Sequence, residues 1–238
     1  MKASNRTFNM QLPLESIKQV ASFEELITTD FAFSMNAICW ERTLEGDFSE
    51  IVNKLTDIDT TIQIDEEQLT QLLLSPKGQL ARKTLLDDFQ QLKAIGASPE
   101  LNVLKNYERD EDFVVFPTDV YSFHVDRSTI SAATYLCTYF GDSSEIVSNT
   151  DAVQKILLPE IRSELLSIYN GPLEEFDTFL IENFYDLHYQ ANQNAKIIQL
   201  GIGNLWKLAV DHPKMKVEPC IHRAPEEKSG QKRLLLIC

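Results

Sequence analysis

The sequence predicts an α+β fold, in which a mainly helical N-terminal portion over residues 1–100 packs on an antiparallel β-barrel over residues 101–238. Two observations lead to this prediction. From Leu101 onward, short segments rich in β-branched and aromatic residues alternate with Gly, Pro, Asp and Asn. At about residues 151–192 these segments are interrupted by apolar residues at helical spacing. Strands, a helical pair and then strands again indicate a barrel with a helical insertion, and the chain is expected to form one compact unit.

The N-terminal portion contains signals for short strands as well as helices. Residues 36–41 and 62–64 are short apolar runs of the kind that form strands. Asp47 precedes a helical pattern that continues to about Leu55. This portion is therefore expected to be mixed, with helices predominating.

Two further helices of the N-terminal portion have clear start signals. Asp65 is a good N-cap, and Gln68 stands where a capping box needs it, so a helix is expected to run to about Leu74. The pair Ser75-Pro76 then supplies a cap residue followed by proline at the first helical position. This helix is expected to end at Gly96, because glycine adopts the left-handed conformation that terminates helices.

The barrel portion is predicted to contain short strands on both sides of the insertion. In the first helix of the insertion, an apolar stripe runs from Val153 to Ile168, and in the second a stripe runs from Leu173 to Leu187. His188 is expected at the end of that second helix. The predicted strands are residues 101–107, 113–116, 120–125, 130–140, 196–200, 205–210, 218–223 and 232–237.

The charge and the cysteine pattern restrict the classes of partner and compartment. The formal net charge of −14 disfavours contact with phosphate backbones and anionic lipid, so neither nucleic acid nor a membrane is expected as a partner. The apolar runs are too short to span a bilayer, and no signal-peptide core follows Met1. The four cysteines are widely spread and form no C-x-x-C pair. These features predict a soluble, cytoplasmic protein with free thiols.

The candidate chemistry centres on two of the four histidines. His124 and Asp126 are two residues apart at a predicted strand end, so their side chains are expected on the same face, where they form a pair of metal ligands. The alternative is a surface histidine beside a solvated aspartate. His222 lies in a later predicted strand, and Arg233 follows it by 11 residues. Cys220 shares a face with His222 and would favour zinc if it were a ligand, but a buried thiol also explains it.

This ordered set resembles the iron(II)- and 2-oxoglutarate-dependent dioxygenase superfamily over roughly residues 100–238. The resemblance implies a double-stranded β-helix, a jelly-roll related to the cupins, with His124, Asp126 and His222 as the ligands of Fe(II). Two histidines and one carboxylate on one face of the metal leave three positions open, as non-haem iron chemistry requires.

The resemblance also implies 2-oxoglutarate as co-substrate. Its distal carboxylate needs a fixed cation, and a guanidinium offers a bidentate fork, so Arg233 is the expected anchor. A hydroxyl group commonly assists there, and alternation along the strand does not decide which one faces inward. The candidates are Thr134, Tyr135, Thr138 and Tyr139, of which Tyr135 and Thr138 are the leading pair.

More narrowly, several segments are similar to a bacterial family of uncharacterised proteins, domain of unknown function 1826, which itself implies no activity. They are residues 36–42, 123–126, 135–139, 222–225 and 233–236.

Three functional interpretations follow from the sequence. The leading one is an Fe(II)/2-oxoglutarate-dependent oxygenase of the hydroxylase type, acting on a small molecule or a peptide. The second is a cupin-like metal-binding protein, with zinc as the alternative metal, that has no oxygenase activity. It draws on Leu235, which occupies a position where many superfamily members place serine. The third is a structural or interaction protein without a metal site. The sequence does not indicate an oligomeric state.

Overall fold

The computed structural model describes residues 16–55, 61–105, 114–226, 228 and 230–238. Within these ranges the chain is an α+β protein with two mainly antiparallel sheets, so the predicted α+β class is confirmed. The elements up to residue 104 are β1 (Ile17–Val20), α1 (Phe23–Thr28), β2 (Ala37–Trp40), α2 (Phe48–Lys54), β3 (Ile62–Ile64), α3 (Glu66–Gln71), α4 (Pro76–Ala94) and β4 (Glu100–Leu104).

The rest of the chain contains nine more strands and two α-helices within the described residues. They are β5 (Phe123–His124), β6 (Ala133–Phe140), β7 (Glu145–Val147), β8 (Ala152–Gln154), α5 (Pro159–Ile168), α6 (Phe176–Glu182), β9 (His188–Ala191), β10 (Ile198–Gln199), β11 (Leu205–Ala209), β12 (Ile221–Arg223) and β13 (Arg233–Ile237).

The N-terminal helices begin where their capping signals predict. The Asp65 side chain accepts the backbone N–H of Gln68, and the Gln68 side chain accepts the backbone N–H of Asp65, which completes the capping box. The hydroxyl of Ser75 accepts the backbone N–H of Gly78 and so caps α4, and Pro76 is the first residue of that helix. At the end of α4, Gly96 has a φ of +85°, the left-handed conformation expected of a helix terminator.

The two sheets have seven and six strands. The large sheet has the order β1-β2-β11-β6-β13-β4-β3, and the small sheet has the order β10-β7-β12-β5-β9-β8. Every pairing is antiparallel except that of β1 with β2. The mainly helical N-terminal portion thus contributes β1, β2 and β3 to the same sheet as the later strands.

The strand β6 divides the interior, because its alternate side chains face opposite sides of the large sheet. Tyr135, Cys137 and Tyr139 belong to the core that the large sheet forms with α2, α3 and α4. Leu136, on the other face, packs in the core between the two sheets, together with Ile146 of the small sheet. The face between the sheets is called the inner face below, and it is the face that carries the candidate site.

The insertion is less helical than predicted. Val153 lies in β8, and Leu173 opens a 3₁₀ turn ahead of α6. Phe184 adopts a left-handed conformation with φ of +59° after α6 has ended at Glu182, and His188 begins β9 instead of ending a helix. The first apolar stripe thus begins in a strand, and the residue after the second stripe begins another, because β8 and β9 pair with each other across the insertion.

The strand predictions on either side of the insertion differ from the structure mainly in length. Residues 114–116 form bends and not a strand, while residues 106, 107 and 113 lie outside the described residues. The predicted strand 120–125 shortens to β5. None of the helices in the described ranges combines the length and the apolar character needed to cross a bilayer.

Candidate metal centre

The site begins with two histidines on neighbouring strands. His124 of β5 and His222 of β12 are direct partners in the antiparallel pairing, so their side chains project from the same face of the small sheet. Their ring centroids are 4.5 Å apart. Ile146 pairs with His222 on the next strand and packs in the inner core, which places both imidazoles on the inner face.

Asp126 completes a cluster of three candidate ligands. It follows His124 by two residues, and one ligand atom from each of His124, Asp126 and His222 lies within 4.8 Å of the other two. The Nε2 atom of His222 is 3.6 Å from Oδ2 of Asp126. The three residues that the sequence singles out are therefore brought together, and only 7% of His222 is exposed.

Backbone carbonyls hold both imidazole rings in the orientation that a metal needs. Nδ1 of His124 donates to the carbonyl oxygen of Ser122 at 2.8 Å, and Nδ1 of His222 donates to that of Cys220 at 3.2 Å. Because a carbonyl oxygen only accepts hydrogen bonds, each Nδ1 carries a proton, and in the neutral form of either ring Nε2 holds the lone pair that a metal would bind. Such hydrogen bonds commonly support metal-bound histidines.

A threonine of the large sheet holds the carboxylate. Thr134 of β6 donates its hydroxyl proton to Oδ2 of Asp126 at 2.5 Å. Asp126 follows a strand of the small sheet, so this hydrogen bond joins the two sheets at the candidate centre. It also restricts the carboxylate to one orientation, as second contacts to metal-binding carboxylates do.

The local electrostatics favour the metal-binding protonation states of His124 and Asp126. Burial, assisted by the neighbouring His222, lowers the pKa of His124 to about 4. Burial raises the pKa of Asp126, but the proximity of His222 and the hydrogen bond from Thr134 outweigh it and lower that pKa below its ordinary value. At neutral pH the site therefore offers a neutral imidazole at His124 and an ionised carboxylate. This donor set fits Fe(II) and Zn(II).

Cys220 does not join the cluster. Its side chain packs in the core between the sheets, and burial raises the pKa of its thiol. The thiol therefore stays protonated and unsuited to a metal, while the carbonyl of the same residue orients His222.

His188 lies closer to the site than its sequence context indicates. It pairs with His124 in the β5–β9 ladder, its ring centroid is 5.8 Å from that of His124, and 3% of the residue is exposed. Phe116 contacts its other side, with ring centroids 6.0 Å apart. The local sequence signal that His188 lies in a strand is weak: it is the short run of residues 188–191, in which a tyrosine favours a strand. The apolar stripe that precedes this run favours a helix instead.

Arg233 is buried on the inner face of β13. One of its terminal nitrogens donates to the hydroxyl of Ser144 at 3.1 Å and lies 3.4 Å from that of Thr138. Of the residues predicted to accompany it, the structure thus places Thr138 beside the guanidinium. Ser144, which was not singled out from the sequence, is the nearer hydroxyl, and it lies in a short segment with no pattern of its own.

Tyr135 is not brought together with Arg233. It projects from the opposite face of β6 and packs in the core with α2, α3 and α4. Tyr139, on the same face, donates its hydroxyl proton to Asp88. The two threonines of β6, Thr134 and Thr138, are therefore the hydroxyl groups of this strand on the inner face.

Neither the protein-family models, nor the curated proteins, nor the solved structures compared with the chain give a match. The functional argument therefore rests on the site itself, which is of the two-histidine, one-carboxylate class.

Proposed function

We propose that the chain is an Fe(II)/2-oxoglutarate-dependent oxygenase of the hydroxylase type, with the metal bound by His124, Asp126 and His222. The observation that supports this most strongly is the convergence of the three ligand atoms within 4.8 Å, with both histidine Nε2 atoms left available. The proposal includes the finer fold assignment, in which the two facing sheets are those of a double-stranded β-helix, and the resemblance to domain of unknown function 1826.

The separation between the metal ligands and Arg233 suits a small dicarboxylate. Thr134 contacts Asp126 and Thr138 contacts Arg233, and the two threonines lie on one face of β6, four residues apart. At the rise of a strand, their Cα atoms are about 13 Å apart. In this proposal a five-carbon acid extends between the side chains that project from these two ends. In this proposal Arg233 binds the distal carboxylate through charge-assisted hydrogen bonds, with Thr138 and Ser144 fixing the guanidinium.

The protein contributes binding and orientation. Fe(II), when bound, would supply the chemistry for hydroxylation of a substrate C–H bond, with dioxygen as the oxidant and 2-oxoglutarate as the source of the two further electrons that dioxygen needs. Leu136 lies between the two threonines on the inner face, and Leu235 packs in the same core, so water is largely excluded between the metal ligands and Arg233. In such surroundings the attraction between a guanidinium and a carboxylate is stronger than in water. The substrate is expected to be a small molecule or a peptide.

The test is an anaerobic titration of metal-free protein with Fe(II) and then 2-oxoglutarate, recording the visible charge-transfer band of the chelate. The parent is expected to develop the band and His222→Ala to show none. Arg233→Met is expected to need at least about tenfold more 2-oxoglutarate, because a charge-assisted hydrogen bond is lost. Arg223→Met is the matched control, since that arginine pairs with Glu145 and stacks on Phe123 of the opposite face.

The second candidate is a cupin-like protein that binds zinc without oxygenase turnover. Leu235 favours this candidate. Its buried apolar side chain stands where many members of the superfamily have a serine, so no hydroxyl is available there to bind a co-substrate. This candidate predicts tight, His222-dependent zinc binding with no effect of 2-oxoglutarate. If the parent binds neither Fe(II) nor Zn(II), both proposals are wrong.

A further inference from the structure

A cavity on the opposite face of the large sheet is independent of the metal centre. Its volume is about 1060 Å³, at the upper end of the usual range for small-molecule sites. It lies among the loop between α1 and β2, the turn after α4, the loop before β6 and the loop before β12. Lys207 of β11 and Tyr135 of β6 form its floor, and they are direct partners in the β6–β11 pairing.

Lys207 carries a positive charge into this cavity. The residue is 9% exposed, so its side chain is one of the few buried cationic groups of the chain. Its Nζ atom donates to the carbonyl oxygens of Ile27 at 3.2 Å and Thr29 at 2.9 Å, at the end of α1. These carbonyls stabilise the ammonium and leave its third N–H for another acceptor. Among the described residues, no carboxylate lies within 4.0 Å of Nζ.

The surroundings of Lys207 are basic in a chain that is strongly acidic overall. Lys214 and Lys216 also line the cavity, and Asp30 is the single carboxylate side chain among the lining residues that the structure describes. Three ammonium groups thus face one carboxylate side chain in a protein of formal net charge −14. Such a local excess of positive charge attracts anions and lowers the cost of removing an anion from water.

The walls are apolar and remain open to water at one edge. The ring of Phe31 lies beside Lys207, with Nζ 5.2 Å from its centroid, and Ile95 lines the cavity from the end of α4. At the rim, Phe33 is 98% exposed and has a φ of +56°, and Ile130 is 69% exposed. A phenylalanine in the left-handed region costs about 1 kcal/mol or more, and full exposure of its ring adds no compensating contact. A ligand with an apolar body would cover these side chains.

From this geometry we infer that the cavity binds a small carboxylate carried on an apolar body, with its anionic group on Lys207. The bound carboxylate accepts the third N–H of Lys207, and the apolar body packs against Phe31, Ile95 and Tyr135. Lys214 and Lys216 attract the ligand from solution. The site is distinct from the metal centre, because Lys207 and Tyr135 project from the face of the large sheet opposite Thr134.

The test is a fluorescence titration of the full chain with 8-anilinonaphthalene-1-sulfonate, an anion on an aromatic body that fluoresces in apolar cavities. Saturable binding to one site is expected, with equal affinity in metal-free and zinc-loaded protein. Lys207→Met keeps the aliphatic stem and removes the charge, and it is expected to weaken binding at least about tenfold. Lys83→Met, on the exposed face of α4, is expected to leave the affinity unchanged.

Competition identifies the class of ligand. Octanoate and phenylacetate share the carboxylate and differ in the apolar body, so the stronger competitor shows whether the body is aliphatic or aromatic. Octylamine, which has the opposite charge, is expected not to compete. Absence of saturable binding, or competition by octylamine as strong as that by octanoate, would overturn the inference.

A second variant covers the case in which Lys207→Met does not fold, as judged by circular dichroism. The double variant Lys214→Met/Lys216→Met changes exposed side chains only, and it is expected to weaken binding about threefold, because exposed charges contribute modestly. Parent affinity in a folded Lys207→Met variant would mean that Lys207 only caps α1. If that variant does not fold, parent affinity in the double variant would mean that the cavity does not attract anions as inferred.

Discussion

Thr134 is the residue through which the large sheet touches the candidate metal centre. Its hydroxyl holds Oδ2 of Asp126. Thr134→Val preserves the shape of the side chain and removes this hydrogen bond, so the carboxylate is no longer fixed. We expect the affinity for zinc to fall about 10- to 100-fold, as for other contacts that orient metal ligands.

This loss is measured by competition with a chromophoric chelator. Thr70→Val is the control, because the hydroxyl of Thr70 is exposed and bonds only to the carbonyl of Glu66 within α3. An unchanged zinc affinity in Thr134→Val would show that Asp126 does not bind the metal in this orientation.

His124 gives the metal-free protein a defined dependence on pH. Because the folded chain lowers the pKa of His124 from about 6.5 to about 4, the unfolded chain binds more protons at this residue between those pH values. The free energy of unfolding is therefore expected to fall as the pH drops through this window, by up to about 3 kcal/mol. Above pH 7, His124 is neutral in both the folded and the unfolded chain, so the free energy of unfolding is not reduced by its protonation.

The measurement is urea denaturation at several pH values in the presence of a chelator. His124→Gln should flatten the dependence, whereas His212→Gln, in the loop before β12, should retain it. If His124→Gln and the parent lose stability in parallel between pH 6.5 and 4, the buried neutral state of His124 is not the cause.

At the scale of elements, a buried ion pair connects α4 to the large sheet. Arg42, just after β2, donates two hydrogen bonds to the carboxylate of Asp88 on α4, and Tyr139 of β6 donates a third. The side chains of Arg42 and Asp88 are 11% and 2% exposed. Asp88→Asn leaves the guanidinium buried without its counter-charge, and we expect a loss of about 3–5 kcal/mol in the free energy of unfolding.

The neighbouring residue on α4 provides a matched comparison. Asp87 pairs with Lys83 on the exposed side of the helix, where an ion pair contributes little. Asp87→Asn is expected to change the free energy of unfolding by less than about 0.5 kcal/mol. Equal effects of the two substitutions in chemical denaturation would exclude a stabilising role for the buried pair.

The elements that were predicted correctly are those whose signal lies within a few residues. The Asp65 capping box and the Ser75-Pro76 start are contained in one helical turn, so tertiary contacts are not needed to recognise them. Strands β8 and β9 have no such signal, because they form through long-range pairing, β8 with β9 and β9 also with β5. Val153 of the first stripe and Leu187 of the second satisfied helical periodicity by coincidence of spacing, and the error in the second stripe placed His188 at a helix end instead of in β9.

The candidate site, like the fold, was predictable from the sequence only where its signal is local. The spacing of His124 and Asp126 determines that they share a face, and the structure brings His222 to them through the β5–β12 pairing. That pairing is long-range and does not follow from local sequence. The choice between Thr138 and Tyr135 needed the register of β6, since a shift of one residue exchanges the two faces of a strand.

For the whole molecule, metal binding is expected to raise thermal stability. A ligand that binds only the folded state stabilises it by about 2.7 kcal/mol at a free concentration one hundred times its Kd. For a domain of this size, that corresponds to an increase of several degrees in Tm. Differential scanning calorimetry with and without zinc measures the shift, and His222→Ala should abolish it. A shift of the same size in His222→Ala would place the zinc elsewhere.

The position of β13 in the large sheet has a consequence for the order of folding during synthesis. Arg233 to Ile237 lie between β6 and β4, so Leu104 finds its partner only after the insertion and the whole small sheet have left the ribosome. Until then, β4 and β6 present unpaired edges and an uncovered apolar face, the state in which nascent chains aggregate. The protein is thus expected to fold slowly, and to depend on chaperones until residues 233–237 have emerged.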